Sequence, residues 1–76
     1  MNLAEVNEGE TCLLSRIDSK FLTPEFINDL MDIGLLPGSS IKIIKRFARM
    51  NKILIQVGEG EIGIRLTDAK YIEVKI

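Results

Sequence analysis

The chain has 76 residues, which is room for one small domain and no second core. Its formal net charge is −1, and that balance argues against a non-specific nucleic-acid binder, whose affinity rests on neutralised phosphates. There is no His and a single Cys, Cys12, so His catalysis, His metal ligation, an internal disulfide and a multi-thiolate zinc site are all excluded.

At 46% the hydrophobic content is too high for a disordered tail, and the many Ile residues favour strands. Uninterrupted apolar runs fall far short of the ~20 residues that span a bilayer. With no disulfide framework and no secretory signal, the chain reads as cytoplasmic. Residues 1–38 are acidic on balance and residues 39–76 basic, so the neutral total conceals two oppositely charged halves.

The opening stretch places Leu3 and Val6 before Glu8-Gly9-Glu10, a short lead-in and a turn. Thr11 to Ile17 reads as a first strand, with Leu13 and Ile17 on one face and Cys12, Leu14 and Arg16 on the other. A helix follows. Thr23 suits the N-cap, Pro24 the first helical position, and Glu25 the positive end of the dipole. Phe26, Ile27, Leu30, Met31 and Ile33 recur at helical spacing and predict one buried face. Gly34 then supplies the left-handed residue past the helix end. Such a helix is only about 15 Å long at ~1.5 Å per residue, too short to persist unless it docks.

From Ser39 the pattern changes to period two. Ile41, Ile43 and Phe47 share one strand face with Lys45 in phase between them, and Lys42, Ile44 and Arg46 take the other. Ile53, Ile55 and Val57 alternate next; Gly58-Glu59-Gly60 is a turn; Ile62, Ile64 and Leu66 alternate again. Thr67 to Lys70 forms one helical turn, and Ile72, Val74 and Ile76 make a last strand. Five short strands with one helix between the first and second predict a mainly β fold: a small barrel, closed or nearly so, that hides its strand edges.

Three clusters carry candidate functions. Lys42, Lys45, Arg46, Arg49 and Lys52 form a basic run without an acid, with Phe47 and Met50 among them. It suits an acidic partner surface, anionic lipid heads or a simple solvated face; a single aromatic is a poor platform for successive bases. Leu35 and Leu36 lie between the turn residues Gly34 and Pro37-Gly38. Either both pack inward, or one stays exposed as a docking knob. Glu8/Glu10 and Glu59/Glu61 flank glycines and read either as solvated turn carboxylates or as hard oxygen ligands for a divalent cation; stable ferrous binding more often recruits His, which the chain lacks. No nucleophile–base pair and no P-loop can be assembled, so no catalytic residue, metal ligand or cofactor is assigned.

The segment Leu30-Met31-Asp32-Ile33-Gly34-Leu35-Leu36-Pro37-Gly38-Ser39-Ser40-Ile41 resembles the helix-to-strand signature of the FeoA family. Leu3 to Gly9, Glu61-Ile62-Gly63-Ile64-Arg65 and Ala69-Lys70-Tyr71-Ile72-Glu73-Val74 extend the likeness across nearly the whole chain. The resemblance implies an SH3-like barrel with an inserted helix. It also implies a small cytoplasmic accessory protein of ferrous iron uptake that works as an interaction module on FeoB, a membrane transporter with a GTP-binding domain. Related modules form the C-terminal domains of metal-dependent repressors, so a free-standing metal- or anion-sensing domain stays open, as do a small nucleic-acid-binding barrel and weak self-association. Many family members carry Gly or Pro between the second and third strands; Phe47 to Lys52 has neither. The partner surface expected on this reading joins Leu35 and Leu36 to the basic run from Lys42 to Lys52.

Overall fold

A computed structural model describes all 76 residues. A 3₁₀ turn at Leu3–Glu5 leads into β1 (Thr11–Ile17); a second turn, Ser19–Phe21, leads into α1 (Pro24–Asp32). Then come β2 (Ser40–Phe47), a third turn (Ala48–Met50), β3 (Lys52–Val57), β4 (Gly60–Arg65), the single-turn α2 (Leu66–Ala69) and β5 (Ile72–Lys75). The strands form one antiparallel sheet in the order β4-β3-β2-β1-β5, with α1 inserted between β1 and β2. β4 and β5 do not pair, so the sheet curls around its core without closing: of the closed or nearly closed barrel expected, the open form is present.

Curling depends on β1 changing partners along its length. Its first half pairs with β2 (Thr11 opposite Lys42) and its second half with β5 (Ile17 opposite Ile72), and Leu13 touches both neighbours. The outer edge of β5 is short and partly covered: Asn2 bridges Glu73, and Val74 N–H donates to the Met1 carbonyl at 2.9 Å. That cover leaves little edge for another chain to pair with.

Two bulges reset the alternation. In β1 the register slips between Leu14 and Arg16, leaving Ser15 as the extra residue. Cys12 and Leu14 point into the core, Leu13 is exposed, and Ile17 is returned to the core side rather than sharing a face with Leu13. In β2 the slip lies between Ile43 and Lys45, with Ile44 extra. Ile41 and Ile43 are fully buried, but beyond the bulge the phase inverts. Arg46 now lies opposite the buried Ile53, while Lys45 and Phe47 face outward. The face expected to be shared by Ile41, Ile43, Lys45 and Phe47 is therefore broken at the bulge, and Arg46, expected to be exposed with the basic run, points inward.

The inward Arg46 is occupied. Its Nη2 donates to the carbonyls of Ala4 (2.7 Å) and Val6 (2.6 Å), and its backbone N–H donates to Glu8 Oε1 (2.9 Å). These bonds clamp the N-terminal segment onto β2 and hold Leu3 and Val6, both fully buried, in the core. The Leu3–Glu5 turn carries its own capping box: Asn2 Oδ1 accepts from Ala4 N–H, and Glu5 Oε1 accepts from Asn2 N–H.

Other departures are local. On α1 only Leu30 is fully buried; Phe26, Ile27 and Ile33 are half-buried and Met31 is exposed, so the packed face is narrower than its spacing suggests. Leu66 starts α2 instead of ending β4, and Ile76 lies exposed beyond β5. The β2–β3 connection needs no glycine because Asn51 takes the left-handed conformation (φ 53°), which Asn tolerates best after Gly.

Arg46→Met should lower stability by about 2–3 kcal/mol, since a half-buried charged donor serves two carbonyls that would be left unpaired. Lys45→Met, on the outer face, should change it by about 0.5 kcal/mol or less. Urea midpoints for the two variants check this; equal midpoints would mean that Arg46 clamps nothing.

Candidate interaction surfaces

The sharpest local geometry lies at the end of α1. Thr23 Oγ1 accepts from Phe26 N–H at 3.2 Å and starts the helix, with Pro24 in its first turn. At the other end Gly34 adopts φ 88°. Its N–H donates to the Met31 carbonyl and that of Leu35 to the Leu30 carbonyl, each at 2.9 Å, the paired bonds of a Schellman motif. That motif turns the residue after the glycine back toward the helix. Leu35 is accordingly fully buried in the same core as Leu30 and presents no surface to a partner.

Leu36 goes the other way and is 51% exposed. Its backbone is nevertheless fixed. Ser39 Oγ accepts from Leu36 N–H (2.9 Å) and donates to the Gly34 carbonyl (3.0 Å). Gly38, at φ 91°, donates to the Leu14 carbonyl (2.7 Å) and ties the turn to β1. Between this turn, α1 and β1 runs an apolar groove of about 340 Å³. Ile17, Ile27, Met31, Leu36 and Pro37 line it, with Arg16 at its rim. Arg16 is paired with Glu73 at 3.0 Å.

The basic run is divided. Lys42, Lys45 and Lys52 stand exposed on the outer sheet face, Arg49 on the Ala48–Met50 turn, and Arg46 points inward as described. Lys45 Nζ lies 5.5 Å and Lys52 Nζ 5.8 Å from the Phe47 ring centroid, within cation–π range. The β3–β4 register sets Arg65 directly opposite Lys52, so a base outside the sequence run joins this face. The signal for Arg65 was available: a two-residue Gly58-Glu59 turn, with Gly58 at φ 58°, pairs Val57 with Gly60 and counts back to Lys52 and Arg65.

The structure does not bring the leucines and the bases together. Lys45 lies roughly 15 Å along β2 from Ser40, at ~3.3 Å per strand residue, and none of Lys42, Lys45, Arg49 and Lys52 lines the groove. The single patch expected from the sequence becomes two separate surfaces.

Of the turn carboxylates, Glu8 accepts from Arg46 N–H, and Glu10 Oε1 accepts from Asn7 N–H at 3.0 Å. No three Cys, Asp or Glu side chains gather within ligating reach. A further cluster, not singled out by the sequence, stacks Phe21 on Tyr71 with centroids 4.8 Å apart and Lys70 Nζ 5.3 Å from the Tyr71 ring. The recess beside it is lined by Asp18, Glu73, Arg16 and Lys70, charges of both signs.

The family model for the FeoA domain matches residues 1–76, and the chain belongs to the FeoA family. The solution structure of the FeoA protein from Chlorobium tepidum is similar at 27% identity and a TM-score of 0.85, covering 100% of this chain and 70% of that one. The zinc complex of FeoA from Stenotrophomonas maltophilia, described as a procaryotic SH3 domain protein, is 18% identical with a TM-score of 0.81 over 99% of this chain and 89% of that one. A manganese-dependent transcriptional repressor shares the fold at 17% identity and a TM-score of 0.82; the chain covers 40% of it. No curated protein matches the chain. The fold is SH3-like, as the resemblance implied.

Cys12 is 1% exposed, and burial, with the nearby Glu10 charge, pushes its thiol above the usual range. The sign follows from the neutral thiol being favoured in the fold. Below the ordinary thiol value of about 8.5 both states hold the proton and the contribution is intact; above it the unfolded chain ionises first and stability falls. The denaturation midpoint should therefore drop between pH 7.5 and about pH 9.5, and Cys12→Ala should flatten that slope whatever its effect on the midpoint itself. A slope unchanged in Cys12→Ala would assign it to other groups.

Proposed function

We propose that this FeoA-family chain is a non-enzymatic accessory of ferrous iron uptake that acts in the cytoplasm, docking on the cytoplasmic side of an FeoB-type transporter. The observation that carries the reading is the apolar groove at the rigid end of α1, where Met31 and Leu36 are half-exposed on a backbone that cannot collapse over them. A groove of this size accepts one or two apolar side chains of a partner. Burial of a few such anchors, ringed by charged groups, is how small interfaces acquire most of their affinity. Here Arg16, paired with Glu73, supplies the charge at the rim. No helix of the chain is long and apolar enough to cross a membrane.

The fold shared with a manganese-dependent repressor favours a second reading, in which the domain senses a metal or anion on its own. Calorimetry with Mn²⁺ and Fe²⁺ in the absence of any transporter separates the two. Saturable, chelator-reversible binding there would support the sensing reading.

Leu36→Asp and Met31→Asp should each weaken binding to the transporter's cytoplasmic region about tenfold or more, because each sets a charge where an apolar anchor would be buried. Thermal stability should hold to within about 0.5 kcal/mol, since neither side chain is in the core. Wild-type affinity in both variants, with folding intact, would move the docking site elsewhere.

A further inference from the structure

The outer face of β2, β3 and β4 is a second surface, built separately from the groove. Register places its side chains in three rows. Lys45 lies opposite Leu54, which lies opposite Gly63; Lys52 stands between Phe47 and Arg65; Lys42 stands opposite Gln56, which meets Glu61. The positive charges are Lys42, Lys45, Lys52 and Arg65, and the single acid, Glu61, sits at a corner. Arg65 is partly engaged, its Nε donating to Asp68 Oδ2 at 2.9 Å. A second acid borders the face, the exposed Glu8, whose carboxylate accepts from the Arg46 backbone N–H at 2.9 Å.

The lysines are positioned rather than free. Lys45 and Lys52 both lie against the Phe47 ring. The Lys52 stem crosses Gly63 so closely that a Cβ there would come within 2.7 Å of Lys52 Cε. At the end of the face, the turn Ala48–Met50 is closed by the left-handed Asn51 and carries Arg49 beside Met50, which is 67% exposed.

We propose that this face binds the anionic headgroup surface of a membrane, with Met50 entering the interface. Three features select that occupant. The face is a sheet surface whose centre is Leu54 and Gly63, and its one recess, lined by Lys42 and Gln56, lies away from Phe47, Lys45 and Lys52. On the sheet itself three of its four bases are lysines, compact point charges suited to a diffuse negative surface, and the fourth, Arg65, already spends its guanidinium on Asp68, whereas carboxylate recognition favours a guanidinium fork left open. One aromatic ring is too few to stack successive bases. An exposed apolar tip flanked by bases is the arrangement that adds apolar burial to electrostatic attraction at a lipid interface. The molecule measures 25 × 23 × 22 Å, more than two Debye lengths of about 8 Å, so acids on its far side are screened from the face.

The test is co-sedimentation of the full chain with vesicles of phosphatidylcholine alone or mixed with phosphatidylglycerol, without transporter, so that its result is independent of the groove. The wild type should pellet with the mixed vesicles at low salt, and not with phosphatidylcholine or at high salt. Lys45→Glu/Lys52→Glu should lower the partition coefficient about tenfold or more at unchanged melting temperature. Met50→Ser should lower it severalfold and leave the salt dependence alone, a split that a purely electrostatic face would not give. Leu36→Asp should not change it. Wild type that stays in solution at low salt, a charge-reversed variant that pellets equally, or tighter binding to single-stranded oligonucleotide or polyglutamate than to vesicles would each overturn the proposal.

Discussion

One extra residue in β2, Ile44, decides which way the charges beyond it point. Without the bulge, strict alternation from Ile41 and Ile43 would drive Lys45 into a core that contains no polar side chain. An unpaired ammonium there would cost several kcal/mol or would have to lose its proton. The bulge turns Lys45 and Phe47 outward and turns Arg46 inward, where a guanidinium is tolerable because two backbone carbonyls await it. The same slip therefore assembles the outer basic face and anchors the N-terminal segment. Leu3 and Val6 follow that anchor into the core.

How legible this was depends on the range of the signal. Features set within a few residues were readable: the Thr23-Pro24 start of α1, its stop at Gly34, the tight Gly58-Glu59 turn, and the strands of alternating Ile. Some short-range signals were present and passed over. Asn2 with Glu5 spells a capping box, and Asn51 is the one residue of its loop suited to a left-handed turn. Lys45 standing in phase with Ile41 and Ile43 was itself a warning that the phase must break. Where it breaks is not local information, because it depends on which carbonyls lie across from Arg46, some forty residues away. Whether the sheet closes or stops just short of closing was left open in the sequence for a related reason. Whether β4 meets β5 depends on how β1 divides itself between two neighbours, and no single strand encodes that.

The opposite fates of Leu35 and Leu36 show what the helix end does and does not dictate. The Schellman bonds fix the position after Gly34 as an inward one, so an apolar residue there is demanded by folding. The next position is fixed only in its backbone, through Ser39 Oγ, and its side chain touches the groove and solvent. A polar residue at 36 would satisfy the same hydrogen bond. Folding thus gives no reason for leucine at that place, and Met31, one turn back on the exposed edge of α1, stands in the same position. Scattered exposed hydrophobes are ordinary. Two that converge with Ile17, Ile27 and Pro37 on one groove form a contiguous apolar surface, the feature on which the proposed docking rests.

The separation of the two faces also constrains any partner. The groove opens beside the start of β2, while the basic face extends toward its far end and the Ala48–Met50 turn. A protein seated in the groove need not cover Lys45, Lys52 or Met50. A domain of this size can then be held by a membrane at one end and by a protein at the other, each contact weak alone. Joining two weak contacts in one rigid body raises the effective concentration of the second once the first is made, and needs no larger interface. That favours a small, rigid, openly curled sheet over a deeper fold. The hydrogen-bonded turn at Gly34 fixes the backbone of the one surface and the β2 bulge sets the outward direction of the other, so both are placed by the same sheet.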